Sequence, residues 1–252
     1  MATHFKGPIL YSAAQKGLEN LNIGVWPDQC TKWDDFVMEL DTGWTVVKDA
    51  GADVSIAADV ANGVLVITSA ATTDDDGGSI QANEIFRLPN VQGEMVYFET
   101  RIYVDTTSGS GVGQMDAFWG LCENFTTNPE AGFLVANRIG FQMDDGSSSL
   151  RLITEKGGTE KETVLATTHD LVDGAYATLG FTATKGKLTG GTEVVQFYIN
   201  KQLVGTHTEN VPTENMTPAI ISVSGDATGT KSMGIDYVLA AQDRGVAYNL
   251  SI

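Results

Sequence analysis

Residues 93–105 read GEMVYFETRIYVD, and their apolar side chains recur at every second position. Successive side chains of a strand point to opposite faces, so this spacing predicts a strand with one face against a core. The predicted inner face carries Val96, Phe98, Thr100, Ile102 and Val104. The predicted outer face carries Tyr97, Glu99, Arg101 and Tyr103. The pattern is therefore that of a half-buried β-strand.

Similar strands recur along most of the chain, and turn residues separate them. Gly- and Asp-rich stretches such as DDDGG (74–78) and DDGSSS (144–149) supply residues that tolerate positive φ. The further predicted strands are residues 64–69, 79–87, 114–123, 132–143, 149–154, 163–166, 175–184, 193–200, 203–208, 219–224 and 233–241. About a dozen short strands predict an all-β chain folded as two packed antiparallel sheets. The turn at Asn200–Lys201 lacks the usual glycine and is less ideal for type I′ geometry, so a longer loop stays open there.

The charge balance excludes some partners. The chain has 32 acidic and 15 basic residues, a formal charge of −17, and no basic face for phosphate groups is visible. We therefore expect no nucleic-acid partner. No apolar run approaches the roughly 18 residues of a membrane span. We also expect no membrane partner, and synthesis and folding in a cytosol.

The N-terminal part differs from the rest. Residues 1–30 show no clear alternation, although three of the four tryptophans lie in the first 44 residues. We predict an arm at residues 1–32, a sandwich domain at 33–245 and a tail at 246–252. The predicted contact residues of the arm are Phe5, Ile9, Leu10, Tyr11 and Trp26. These apolar side chains exceed what a short unpatterned segment can bury alone, so they pack either on a partner or on the chain's own sandwich.

Six stretches in order resemble the concanavalin A-like and laminin-G-like jelly rolls. The resemblance covers roughly residues 33–244 and implies a jelly-roll sandwich with predicted core residues Val96, Phe98, Ile102, Phe118, Phe141, Leu179, Phe181, Phe197 and Ile199. The stretches are GVLVITSA (63–70), GEMVYFETRIYV (93–104), AFWGLCE (117–123), AYATLGFTAT (175–184), VQFYINKQLVGTHT (195–208) and MGIDYVLAAQ (233–242).

The opening MATHFKGPILYS (1–12), followed by such a domain, resembles structural proteins of tailed bacteriophage virions, especially capsid decoration proteins. That resemblance implies a non-catalytic protein on the capsid surface, with the major capsid protein as partner and a homotrimer as assembly. Its place on the head or the tail stays open. A lectin-like module that binds glycans is the alternative, and a degenerate glycosidase is the third hypothesis.

Catalytic patterns are absent from the sequence. Glycosidases of the resembled fold carry Glu-x-Asp-x-x-Glu on one strand, and this chain has no such motif. His207 is expected to be a half-exposed strand residue, and Cys122 a small core residue. Cys30 and Cys122 are expected to be reduced and partly buried, although one disulfide between them stays open. We predict that the protein is not an enzyme and has no cofactor.

Two kinds of binding site stay open. Asp74, Asp75 and Asp76, or Asp144 and Asp145, supply the hard oxygen ligands that Ca²⁺ prefers, although such residues also dominate ordinary turns. An aromatic platform for a sugar is available if the tyrosines at the outer strand positions are exposed. These tyrosines are Tyr97, Tyr103 and Tyr198.

Overall fold

The computed structural model describes residues 29–37, 40, 42–57, 63–70, 72–83, 85–88, 95–105, 113–185 and 191–243. Two short 3-10 helices, Pro129–Phe133 and Thr167–His169, lie between strands in these residues. The strands are β1 (Gln29–Asp34), β2 (Trp44–Lys48), β3 (Asp53–Ile56), β4 (Leu65–Thr68), β5 (Gly77–Ala82), β6 (Met95–Asp105), β7 (Met115–Cys122), β8 (Arg138–Met143), β9 (Arg151–Lys156), β10 (Thr159–Val164), β11 (Ala177–Lys185), β12 (Glu193–Ile199), β13 (Gln202–His207), β14 (Thr217–Ser224) and β15 (Ser232–Asp243).

The strands form two sheets in which every pair is antiparallel. The eight-stranded sheet runs β13-β12-β11-β6-β15-β4-β3, and β1 also pairs with β15. The seven-stranded sheet runs β10-β9-β8-β7-β14-β5-β2. Two strands pair with successive parts of the long strand β15: β4 pairs with its first part and β1 with its second part. This architecture confirms the predicted all-β antiparallel sandwich.

The core between the sheets follows the alternation of the sequence. All five predicted inner residues of β6 are buried. Phe197 lies at the centre of an aromatic group, with ring centroids 5.5 Å from Phe141 and 5.9 Å from Phe181. Of the nine predicted core residues, every one except Phe118 belongs to this main cluster. The register predicted for β6 and β12 is therefore confirmed.

Phe118 is buried, but on the other face of the seven-stranded sheet. Its neighbours in β7, Ala117 and Trp119, face the main core, so Phe118 must face outward from it. There it forms a second cluster with Cys122, Phe125, Ala219, Ile221 and Val223, and Phe133 packs against that cluster. The prediction for Phe118 was wrong in its face, because the segment that follows β7 folds back and buries this outer surface.

The structure corrects one predicted strand and decides one turn that the sequence left open. Residues 132–137 do not belong to a strand, since the Asn128 side chain accepts a hydrogen bond from the Ala131 N–H (3.1 Å) and begins a 3-10 helix. The turn at Asn200–Lys201 is short. Ile199 pairs with Gln202, and both intervening residues have positive φ (48° and 69°), as in a two-residue type I′ turn.

The ends of the domain meet in the eight-stranded sheet. Gln29 of β1 is opposite Asp243 of β15, and the predicted boundary between residues 32 and 33 falls within β1. The tail predicted at 246–252 lies outside the described residues. None of the described helices is long and apolar enough to cross a membrane.

Candidate functional site

The predicted attachment residues cannot be placed in a site. Phe5, Ile9, Leu10, Tyr11 and Trp26 all lie outside the described residues, and so does the side chain of Cys30. The described part of the chain offers a different candidate, the outer face of the eight-stranded sheet.

We call this surface the tyrosine face. It is formed by the outward side chains of β1, β15 and β6, together with Tyr176 just before β11. Pairing places Trp33 beside Leu239 and Glu99 in one row, and Tyr237 beside Arg101 in the next. Its members used below are Trp33, Tyr97, Glu99, Arg101, Tyr103, Tyr176, Asp236 and Tyr237.

A rigid aromatic platform lies at one end of the tyrosine face. The Trp33 ring stacks on the Tyr237 ring at a centroid distance of 5.3 Å and an interplanar angle of 24°. The hydroxyl of Tyr237 donates to Glu99 Oε1 (2.6 Å), and the hydroxyl of Tyr97 donates to Glu99 Oε2. Trp33 remains 53% exposed. A flat indole is therefore presented to the outside next to a carboxylate held in a fixed orientation.

A second aromatic group lies at the other end of the tyrosine face. Tyr176 is 42% exposed, and its ring meets the edge of Tyr103 with centroids 5.1 Å apart. The Arg101 guanidinium lies 4.0 Å from the centroid of Tyr176 and pairs with Asp236 (2.6 Å). Burial, and then interaction with Tyr176 and Asp105, raises the pKa of the Tyr103 hydroxyl. Aromatic rings and charged groups thus alternate along the tyrosine face.

The tyrosines predicted from the sequence differ from those that are exposed. Tyr97 and Tyr198 are buried, at 3% and 6% exposure, and Tyr97 packs with Leu239 and Ala241. Of the three predicted tyrosines only Tyr103 stays partly exposed. Trp33 was missed because β1 was not among the predicted strands, and Tyr176, inside the predicted strand 175–184, was not among the candidate tyrosines.

The acidic residues on the outer face of the seven-stranded sheet form ion pairs. Arg138 donates from Nε to Glu155 (2.6 Å) and from Nη2 to Glu160 (2.7 Å). Arg151 donates to Glu162 (2.9 Å) and pairs with Asp144. Glu160 and Glu162 lie at alternate positions of β10, a spacing that the sequence search for Glu-x-Asp-x-x-Glu did not detect. Both are engaged by arginines instead of facing each other across an open site.

The other candidate nucleophile and base are buried. His207, expected to be half-exposed, is 3% exposed; its ring nitrogens lie 3.0 Å from the hydroxyl of Thr154 and 2.9 Å from that of Thr163. Burial lowers the pKa of His207 to about 4. Cys122 is a free thiol inside the second cluster, where burial raises its pKa to about 12. The expectation of a core cysteine is confirmed, whereas that of a half-exposed histidine is wrong.

The aspartates considered for calcium do not converge. Asp76 is buried and accepts a hydrogen bond from the Ala70 N–H (3.0 Å), whereas Asp74 and Asp75 are exposed. Asp116 accepts from the Asp145 N–H (2.7 Å). Burial, and then the charges of nearby aspartates, raise the pKa of Asp116. No group of three or more His, Cys, Asp or Glu within the described ranges is arranged to hold a metal ion.

Comparisons with known proteins identify the fold. No protein-family model and no curated protein matches this chain. The endo-1,3-beta-glucanase from Streptomyces sioyaensis superposes with a TM-score of 0.61 at 14% identity, covering 88% of this chain and 99% of that chain. Peanut lectin gives 0.57 at 13% identity, covering 85% and 97%. The Emp46p carbohydrate recognition domain gives 0.56 at 13% identity, covering 85% and 100%.

These similarities show a concanavalin A-like jelly-roll sandwich. Glucanases and lectins share this fold, so the fold alone distinguishes neither function. The virion role suggested by the opening residues stays a prediction.

Proposed function

We propose that this concanavalin A-like sandwich is a non-catalytic carbohydrate-binding domain, and that the ligand lies on the tyrosine face. The observation that carries the proposal is the exposed Trp33 ring, held flat by Tyr237 beside the Glu99 carboxylate. Sugar rings have apolar C–H surfaces that pack on aromatic rings and hydroxyls that need hydrogen-bond partners. Binding sites commonly combine an aromatic wall with a few fixed polar groups in this way.

The polar groups of the tyrosine face match hydroxyls. An ionised carboxylate accepts about four hydrogen bonds, and the phenols of Tyr97 and Tyr237 occupy two of those of Glu99. Arg101 has five N–H donors, of which one is directed to Asp236. Acceptor capacity therefore remains at Glu99, next to Trp33, and donors remain at Arg101, farther along the tyrosine face beside Tyr176. Peanut lectin and the Emp46p carbohydrate recognition domain, which share the fold, support this class of function by analogy.

The test is a glycan array followed by titration calorimetry with the glycan that binds best. Trp33→Ala should weaken binding at least tenfold, because the stacking surface is lost. Tyr237→Phe keeps the ring and removes the hydrogen bond to Glu99, so it should weaken binding less. Val46→Ala, an exposed apolar residue on β2 of the other sheet, is the matched control. Absence of any glycan binding by the wild type, or unchanged binding by Trp33→Ala, would contradict the proposal.

The non-catalytic part of the proposal has its own assay. The acids of β9 and β10 are ion-paired, and a retaining glycosidase needs two free carboxyl groups about 5 Å apart. We expect no new reducing ends when the bound polysaccharide is incubated with the protein. Release of reducing ends that Glu160→Gln abolishes would show an enzyme instead.

A virion decoration protein is the second candidate. It rests on the resemblance of residues 1–12, and the described chain shows only how such an arm would be joined to the sandwich. Residues 1–28 lead directly into β1, which is anchored by pairing with β15 and by a hydrogen bond from Trp44 Nε1 to Asp34 (2.7 Å). An arm bound to the major capsid protein would thus be tethered to the sandwich by a paired strand. Co-sedimentation with intact virions, and light scattering for the expected homotrimer, test this candidate.

A further inference from the structure

A pocket of about 430 Å³ lies next to the tyrosine face, at the end of the sandwich. One wall is the segment between β10 and β11, including Asp170, Leu171 and Tyr176. The opposite wall is the turn between β12 and β13, including Asn200 and Gln202. Ligand pockets are typically about 300–1,000 Å³, so this volume suits one small ring rather than a long chain.

The pocket contains a carboxylate with unused capacity. Asp170 Oδ2 accepts a hydrogen bond from the Ser148 hydroxyl (2.9 Å). Asp170 Oδ1 is buried and has no hydrogen-bond donor among the described residues. Buried polar oxygens are normally paired, because an unpaired one has lost its water without gaining a donor in return. Rotation about the last side-chain bond of an aspartate is soft, so a donor entering the pocket can take one oxygen while Ser148 keeps the other.

Tyr176 belongs to both surfaces. It lines the pocket, and its ring contacts Arg101 and Tyr103 of the tyrosine face. The Arg101 cation already lies against this ring and would repel a second cation, and the Asp170 carboxylate in the pocket lining would repel an anion, so a neutral ligand is favoured. A sugar fits these conditions, since it is neutral, donates from its hydroxyls to a carboxylate and packs its C–H surface on an aromatic ring.

The distance to Trp33 sets the size of the ligand. Three strand spacings separate β1 from β11, and the Tyr176 position lies about four residues along the strands from the Trp33 row. Strand geometry makes the separation of the two Cα positions roughly 20 Å, and the side chains of Tyr237 and Arg101 lie between the two rings. One sugar ring cannot reach both places, whereas an oligosaccharide can.

We propose that the pocket beside Tyr176 and Asp170 binds the terminal sugar ring of a carbohydrate chain whose following rings lie on the tyrosine face towards Trp33. This inference rests on the proposed carbohydrate-binding function and adds that the protein recognises a chain end. Asp170 accepts a hydroxyl hydrogen bond from the terminal ring, Asn200 and Gln202 contribute amide groups, and Tyr176 supplies the stacking surface at the mouth.

The first test is stoichiometry. Titration calorimetry is carried out with oligosaccharides of increasing length from the class that the array identifies. A protein that binds a chain end should keep one protein per chain as the chain lengthens. If the protein binds only internal rings, the number of protein molecules bound to each chain should increase with chain length. Such an increase would overturn the inference while leaving the proposed function in place.

The second test is a variant. Asp170→Asn keeps the shape of the side chain and an acceptor for Ser148, but turns a donor towards the ligand hydroxyl. It should weaken oligosaccharide binding at least fivefold with an unchanged melting temperature. Asp173→Asn, an exposed acid of the same segment that does not line the pocket, is the matched control. Unchanged affinity in a folded Asp170→Asn protein would overturn the inference, and Trp33→Ala reports on the proposed function separately.

Discussion

Some titratable side chains of this sandwich are buried, and His207 is the clearest case. The pKa of His207 is lowered to about 4 by burial, against about 6.5 in an unfolded chain. Between these values the unfolded state binds a proton that the folded state does not. The free energy of unfolding should therefore keep its full value above about pH 6.5. It should decrease as the pH drops from 6.5 towards 4.

The prediction for His207 is a change in pH dependence. His207→Gln cannot titrate, so the variant should lack about 1–3 kcal/mol of the stability loss that the wild type shows between pH 6.5 and 4. Urea unfolding at several pH values measures this difference. If both proteins lost stability in parallel over that range, the histidine would not be responsible.

Lys231 illustrates a buried charge. Its side chain is fully buried, and Nζ donates to Asp226 and to the carbonyl oxygens of Thr228 (2.6 Å) and Gly229 (3.3 Å). Asp226→Ala removes the counter-charge and should lower the free energy of unfolding by roughly 3 kcal/mol. Lys231→Met removes the buried charge itself and should cost less. Urea denaturation of the two variants tests this, and an equal or larger loss for Lys231→Met would contradict it.

At the scale of the elements, the turn between β12 and β13 carries a measurable strain. Asn200 and Lys201 both have positive φ, and a left-handed conformation costs a residue such as lysine about 1 kcal/mol. Lys201→Gly should therefore stabilise the protein by about 0.5–1 kcal/mol, less the added entropy of the unfolded chain. Thermal unfolding checks this. Lys48→Gly on β2, where positive φ is not needed, should be destabilising.

The sequence predicted elements well where alternation and burial coincide. In β6 and β12 the apolar residues at alternate positions face the core, so period two specifies both the strand and its register. Alternation did not predict β1 (QCTKWD), because Lys32 occupies its inward position. That ammonium lies 4.9 Å from the Trp44 ring, a contact that only tertiary structure creates. Trp33 was missed together with β1, and Asp170 was missed because it lies on the segment between β10 and β11, where no periodic pattern marks it.

At the scale of the whole molecule, β1 limits where the N-terminal segment can be cut. Removing residues 1–28 leaves β1 and its pairing with β15 intact, so the sandwich should still fold. If the virion hypothesis is right, this truncated protein should no longer co-sediment with virions. Removing residues 1–34 also exposes the edge of β15 and deletes the contacts of Lys32 and Asp34 with Trp44, so it should lower the melting temperature.

The two truncations separate the hypotheses. Full occupancy on virions after removal of residues 1–28 would show that attachment runs through the sandwich. Loss of glycan binding should appear only with the longer truncation, because that one removes Trp33. Glycan binding lost already with the shorter truncation would place the ligand on the N-terminal segment instead.

The pairing of Gln29 with Asp243 brings the two ends of the domain to one point, since paired residues are about 5 Å apart. A short linker between them should close the chain, and new ends opened at the Lys201 turn should give a circular permutant with the same sheets. For the same reason the domain can be inserted into a surface loop of a host protein without forcing that loop apart.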